Sequence, residues 1–122
     1  MTPALAIVRT NTILYCERWT DTVAFYRDTL DLTVTHTTEW FVEVHLSGSA
    51  HLSLTDASQT SIAPSHGAGI TLSWQVADLA TTRSTPVAAG LAVTAIAARW
   101  NSSYVELNDP EGTRIELWSP TP

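Results

Sequence analysis

Two glutamates near the end of this chain of 122 residues could do chemistry together. Glu116 lies in the alternating stretch Thr113 to Trp118, and Glu106 lies in Tyr104 to Leu107. Between them stands Asn108-Asp109-Pro110-Glu111-Gly112. Pro110 presets φ for the second position of a tight turn, and Gly112 supplies a φ above zero at its exit. The whole reads as a β-hairpin. Alternation puts Arg114, Glu116 and Trp118 on one face of the second strand, with Ile115 and Leu117 on the other. Glu106 is expected beside Glu116. Two carboxylates in a partly dry site raise each other's pKa, so one could serve as general acid or base. The same pair would attract a cationic ligand. A third reading pairs Arg114 with one of them and makes the trio structural.

Aromatic residues surround that pair. Trp118 and Tyr104 share the face of Glu116, and Trp100 sits in a loop just upstream. Aromatic walls with a few polar groups suit a flat or hydrophobic small molecule. Trp19 and Trp74 fall in apolar patterns and are expected in the core. In the first half, Phe41, Glu43 and His45 alternate against Trp40, Val42 and Val44, and His51 follows a Ser47-Gly48-Ser49 turn. Tyr15 shares a strand face with Asn11 and Ile13. His36 and His66 carry no signal.

Composition excludes several chemistries. The net charge is −6 and no Lys is present. An acidic surface disfavours nucleic acid. Without Lys there is no Schiff-base or P-loop lysine. With Cys16 as the one cysteine there is no internal disulfide and no Cys-rich zinc site. No apolar run approaches the ~18 residues of a membrane helix. The start, Met1-Thr2-Pro3-Ala4-Leu5, has no basic segment or long apolar run, so a cytoplasmic protein without membrane contact is expected.

The elements that position these residues follow from periodicity. Ile7 to Glu17 reads as a strand and Thr20 to Leu30 as a helix, with Trp19, Val23, Tyr26 and Leu30 at helical steps. Thr20 or Asp21 is expected to cap it and Asp31 to end it. Leu32 to Thr37, Trp40 to Leu46 and His51 to Thr55 read as strands. After a loop rich in Ser, Thr, Pro and Gly, the order repeats. Ile70 to Val76 is a strand, and Asp78 caps a helix running to about Ala89. Pro86 is expected to kink or restart that helix, and Gly90 to end it. Leu91-Ala92-Val93-Thr94 echoes Leu32-Thr33-Val34-Thr35, and the hairpin follows. The reading is one domain of modules 1–56 and 70–120 joined by loop 57–69, each ordered β-α-β-β-β.

The run Asp109-Pro110-Glu111-Gly112 with Glu116 beyond it, and Val23 to Leu32 upstream, resemble the last hairpin and first helix of the glyoxalase/bleomycin-resistance/extradiol-dioxygenase (vicinal oxygen chelate) superfamily. The resemblance implies an α+β fold in which two βαβββ modules with mixed sheets form a cup, helices outside and ligand inside, commonly as a homodimer. Where that family usually has Gly, this chain has Asp31. The family's metal-dependent members hold a divalent ion at four strand positions, which correspond here to Asn11, Ser53, Thr71 and Glu116. Only Glu116 is a competent ligand, and a stable site needs about three His or carboxylate donors. No metal or other cofactor is therefore expected at those positions. A displaced site drawing on His45, His51, Glu43, Glu106 and Glu116 is the rival reading.

The expectation is metal-independent binding of an aromatic or cationic small molecule, in the manner of bleomycin-resistance proteins of antibiotic resistance. The ligand-binding residues expected in the first module are Tyr15, Phe41, His45 and His51. Those in the second are Trp100, Tyr104, Glu106, Glu116 and Trp118. The alternatives are a glyoxalase-type lyase, isomerase or dioxygenase, and an interaction protein with a collapsed cup.

Overall fold

The computed structural model describes residues 4–122. Met1, Thr2 and Pro3, on which the reading of the chain's start partly rested, lie outside the described residues. Among the described residues, eight strands and two α-helices fall into two compact units, one reaching Pro64 and the other spanning Ser65–Pro122. Each carries one four-stranded mixed sheet, so the class is α+β with two βαβββ modules. Among the described residues, no helix is long and apolar enough to cross a membrane.

In the first unit, β1 (Thr10–Cys16), β2 (Val34–Thr37), β3 (Phe41–Ser47) and β4 (Ala50–Asp56) pair in the order β1-β4-β3-β2. β1 runs parallel to β4, and the other pairs are antiparallel. Alternation sends Leu14, Cys16, Val42, Val44, Leu52 and Leu54 to one face, where all are buried. Helix α1 (Trp19–Ala24) and a π-helical turn at Phe25–Thr29 supply Val23, Phe25 and Tyr26 to the core. Full burial of such a side chain contributes roughly 1.5–3 kcal/mol. The Trp19 indole N–H donates to the Leu54 carbonyl at 2.8 Å, which ties the helix start to β4.

The start of α1 departs from expectation. Arg18, not Thr20 or Asp21, is the N-cap, and no side chain caps the helix. Asp21 is drawn instead into an ion pair with Arg18 at 2.8 Å. The chain leaves the helix as expected through Asp31, whose φ is 57°. β1 is shorter than the Ile7–Glu17 run, because Ile7, Val8 and Arg9 have no neighbouring strand and are exposed.

The second unit repeats the plan. β5 (Thr71–Gln75), β6 (Ala97–Arg99), β7 (Ser102–Asn108) and β8 (Arg114–Pro120) pair in the order β5-β8-β7-β6. β5 is parallel to β8, and the rest are antiparallel. Leu72, Val105, Leu107, Ile115 and Leu117 form the buried face, together with Leu79 of α2 (Leu79–Ala88). Asp78 caps α2 as expected, its side chain accepting from the Thr81 amide. Pro86 does not restart the helix, which runs through it to Ala88; in the last turn a missing N–H removes only one ladder bond.

One further expectation is corrected here. Leu91 to Thr94 is not a strand. Its Thr94 amide and hydroxyl bond β7 at Glu106, and Arg83 holds the Val93 and Thr94 carbonyls, so its polar groups are spent outside a ladder. The strand falls instead at Ala97–Arg99, and a tight turn at Trp100 and Asn101 leads into β7. In that turn Trp100 has φ 48° and is 97% exposed. A bulky side chain resists the left-handed region by ~1 kcal/mol. Trp100→Asn is expected to raise stability by roughly 0.5–1 kcal/mol, because Asn accepts that conformation. Thermal unfolding checks this, and a lowered melting temperature would count against it.

The final hairpin turns as read. The Gly112 amide donates to the Asp109 carbonyl at 3.0 Å, and Gly112 has φ 93°. The Asp109 carboxylate also accepts from the amides of Glu111 and Thr113 at 2.9 and 2.8 Å, which locks the turn from inside.

Candidate functional site

In each unit the sheet face opposite the core is polar, and each carries a carboxylate clasped by an arginine. In the second unit Glu116 stands opposite Glu106 in register, Trp118 opposite Tyr104 and Gln75 beside Trp118. Glu116 Oε2 accepts from the Ser73 hydroxyl at 2.6 Å, and Oε1 meets Arg99 Nη2 at 2.5 Å. The Arg99 guanidinium also lies 4.5 Å over the Tyr104 ring, a cation–π contact. One arginine thus bridges the acidic and aromatic members of the face.

This corrects two expectations. Arg114 does not pair with either glutamate within ion-pair distance; its Nε donates to the Thr71 hydroxyl at 3.0 Å. The role falls to Arg99, brought to the face by the short strand β6. Nor is Glu116 pushed toward the protonated form. The Ser73 hydroxyl, and after it the Arg99 guanidinium, hold its carboxyl below the ordinary range against the opposing effect of burial. Among the described residues no ion pair engages the Glu106 side chain, which is half-buried.

The sign of that shift gives a testable pH dependence. A depressed folded pKa contributes stability that is complete at neutral pH and is lost as pH falls below the ordinary 4.5 toward the lower folded value. Glu116→Gln is expected to melt below wild type at pH 7 and to lose less stability than wild type as pH falls below 4.5. Parallel melting curves across that window would show that the clasp is not formed.

The first unit builds an analogous clasp on a different strand. Glu43 of β3 meets Arg9 Nη2 at 2.5 Å, accepts from the Thr35 hydroxyl at 2.8 Å, and lies 3.4 Å from Asn11 Nδ2. Ser53, opposite Glu43 in register, donates to Asn11 Oδ1 at 2.8 Å. The Arg9 bond, the largest cause, holds the Glu43 carboxyl below its ordinary range. The Glu43 and Glu116 side chains are 11% and 12% exposed, while both arginines are more than 40% exposed, so each clasp is open to water on one side.

The nine expected ligand-binding residues divide between the faces. Tyr15 and Phe41 flank Thr55 in register, and Thr55 Oγ1 is a buried hydroxyl without a hydrogen-bond partner among the described residues. Phe41 also makes edge contacts with His36 and Trp40. His45 and His51 lie side by side at the end of the β3–β4 hairpin. Tyr104, Glu106, Glu116 and Trp118 share the second face, and Trp100 stands apart at its turn. Sequence reasoning missed Arg9, Thr35, Ser73 and Arg99.

The positions expected to hold the family's ion do not fit one. Asn11 and Ser53 bond each other, Thr71 accepts from Arg114, and Glu116, the sole carboxylate, is neutralised by Arg99. Among the described residues, no three His, Cys, Asp or Glu side chains converge as a metal cluster.

Comparison with known proteins places this geometry. The family model for the Glyoxalase/Bleomycin resistance protein/Dioxygenase superfamily matches residues 7–117. No curated protein matches the chain in sequence. Among solved structures, a lactoylglutathione lyase from Agrobacterium tumefaciens is similar at 23% identity with a TM-score of 0.76, over 96% of this chain and 95% of that one. TnmS3, an antibiotic binding protein from Streptomyces sp. CB03234, is similar at 17% identity with a TM-score of 0.78, over 93% and 95%. A glyoxalase/bleomycin resistance protein/dioxygenase from Nocardioides is similar at 19% identity with a TM-score of 0.76, over 94% and 83%. At these identities the likeness carries the fold alone.

Proposed function

Because the chain belongs to the glyoxalase/bleomycin resistance protein/dioxygenase superfamily, we propose that it binds a planar cationic small molecule on the polar face of its second sheet, without a metal at the family's ligand positions. The observation that carries the reading is Glu106: a half-buried carboxylate with no ion pair among the described residues, next to Tyr104 and Trp118. A cation seated there gains a charge-assisted hydrogen bond and an aromatic surface on which to stack. Glu116 has a different task from the one its position suggests. With Arg99 and Ser73 it fixes the floor of the face, and Arg99 holds the Tyr104 ring.

An enzymatic reading finds less support. A general base needs a carboxylate whose pKa is lifted toward neutrality, and Glu116 is shifted the other way. The antibiotic-binding neighbour and the acidic composition favour sequestration of a drug-like, cationic molecule.

The test is a fluorescence titration. Trp118 lies on the proposed face, so a panel of planar cationic drugs should give a saturable change in tryptophan emission, lost in a Trp118→Phe variant that still folds. Absence of saturation across cations, with saturation by planar anions, would overturn the charge assignment. Saturation unchanged in Trp118→Phe would overturn the location.

A further inference from the structure

The β3–β4 hairpin carries a feature that small-molecule binding on the second unit leaves unused. His45 and His51 are direct cross-strand partners, with ring centroids 5.3 Å apart. His45 Nε2 lies 2.9 Å from the Gly48 carbonyl oxygen, and His51 Nδ1 lies 3.3 Å from that of Ser49. A carbonyl oxygen only accepts, so each of these nitrogens carries the proton. The neutral rings therefore keep lone pairs on Nδ1 of His45 and Nε2 of His51. No protein donor engages either lone pair among the described residues, and both rings are half-buried and open to solvent.

The arrangement leaves each ring one lone pair with which it could bind a metal. Metal-bound histidine characteristically donates its other ring N–H to a carbonyl or carboxylate, which fixes tautomer and orientation. Here the two-residue turn Gly48-Ser49 serves both rings at once, and Gly48 takes φ 50° to do so. The spacing agrees. An ion about 2.0–2.1 Å from each imidazole nitrogen sits about 3.2 Å from each ring centroid, which sets the centroids about 5.2 Å apart at the tetrahedral angle. Glu43, two residues before His45 on the same face, is held by Arg9 and Thr35 and is not a free third donor.

We propose that His45 and His51 form a two-imidazole site for a borderline divalent transition ion such as Zn²⁺, with water in its remaining positions and a looser hold than the three-donor sites that keep a resident ion. Imidazole donors suit zinc, nickel and copper and do not suit magnesium or calcium. The two histidines belong to the first unit and share no residue with the proposed second-unit face, so neither proposal depends on the other.

The experiment is a calorimetric titration of the metal-free protein with Zn²⁺ alone. One ion per chain is expected, with affinity falling by at least about tenfold in His45→Ala and in His51→Ala. His36→Ala and His66→Ala should bind as wild type. Circular dichroism verifies that each variant is folded. Nitrogen chemical shifts of wild-type histidines give a reading without substitution: Zn²⁺ should move Nδ1 of His45 and Nε2 of His51. No saturable heat, affinity staying within tenfold of wild type in either variant, or shifts confined to His36 and His66 would each overturn the assignment.

Discussion

Gly67→Ala is expected to destabilise the chain by about 3 kcal/mol or more, since left-handed strain and overpacking each contribute up to about that much. The reason is proximity of backbone to backbone. A Cβ on Gly67 would lie 2.5 Å from Thr113 Cα, 2.6 Å from Thr113 N and 2.8 Å from Gly112 C. None of these atoms belongs to a side chain that could turn aside. The residue also has φ 77°, so any side chain is strained before it meets its neighbours. Gly69 is the control. It has φ 73° with nothing within 4 Å of its Cβ position, so Gly69→Ala carries the conformational cost of ~1 kcal/mol alone. Urea unfolding of the two variants separates contact from conformation. Equal losses would mean that residues 65–69 do not rest on the last turn.

Glu106→Gln is expected to weaken binding of a planar cation by ten- to a hundredfold. A hydrogen bond to a charged group contributes roughly 1.5–3 kcal/mol, and about 1.4 kcal/mol is tenfold in affinity. The substitution keeps shape and removes charge. Stability should hold or rise slightly, because Glu106 faces Glu116 directly across the β7–β8 ladder and like charges there repel. Glu116→Gln should behave in the opposite way, losing stability through Arg99 and Ser73. Each variant therefore needs a melting curve and a binding titration. Intact affinity in Glu106→Gln would remove the residue that carries the functional proposal.

The fold was legible because its signals are long or chemically constrained. Seven-residue alternation fixed the faces of β1, β3 and β4, and Asp109-Pro110-Glu111-Gly112 could hardly be anything but a turn. Asp78 as a cap and Asp31 as a left-handed exit followed from what those side chains do to nearby backbone. The clasps were not legible. Arg99 sits on a three-residue strand, and three residues carry too little alternation to show which face they present. Arg114 looked the better partner because it shares a strand with Glu116, yet the ladder places Thr71 within its reach. Arg9 precedes β1, where no periodicity applies, and it finds Glu43 from a distant part of the chain. Leu91 to Thr94 misled for the converse reason: a β-like composition was used for loop hydrogen bonds.

The parallel pairings also imply an order of assembly. Within each unit the β3–β4 and β7–β8 hairpins join neighbours in sequence, whereas Thr10 must find Ala50 and Thr71 must find Arg114. Closing the longer loop costs more chain entropy, so the hairpins are expected to form first and the parallel strands β1 and β5 to dock last. The last strand to dock is the first to release, and native-state amide exchange should show β1 and β5 opening at lower free energy than β4 and β8. Uniform protection across a sheet would contradict that order. Each opening bares a parallel edge of β4 or β8 already shaped to take a strand, so another copy of the chain caught in the same state could fill it and begin aggregation there.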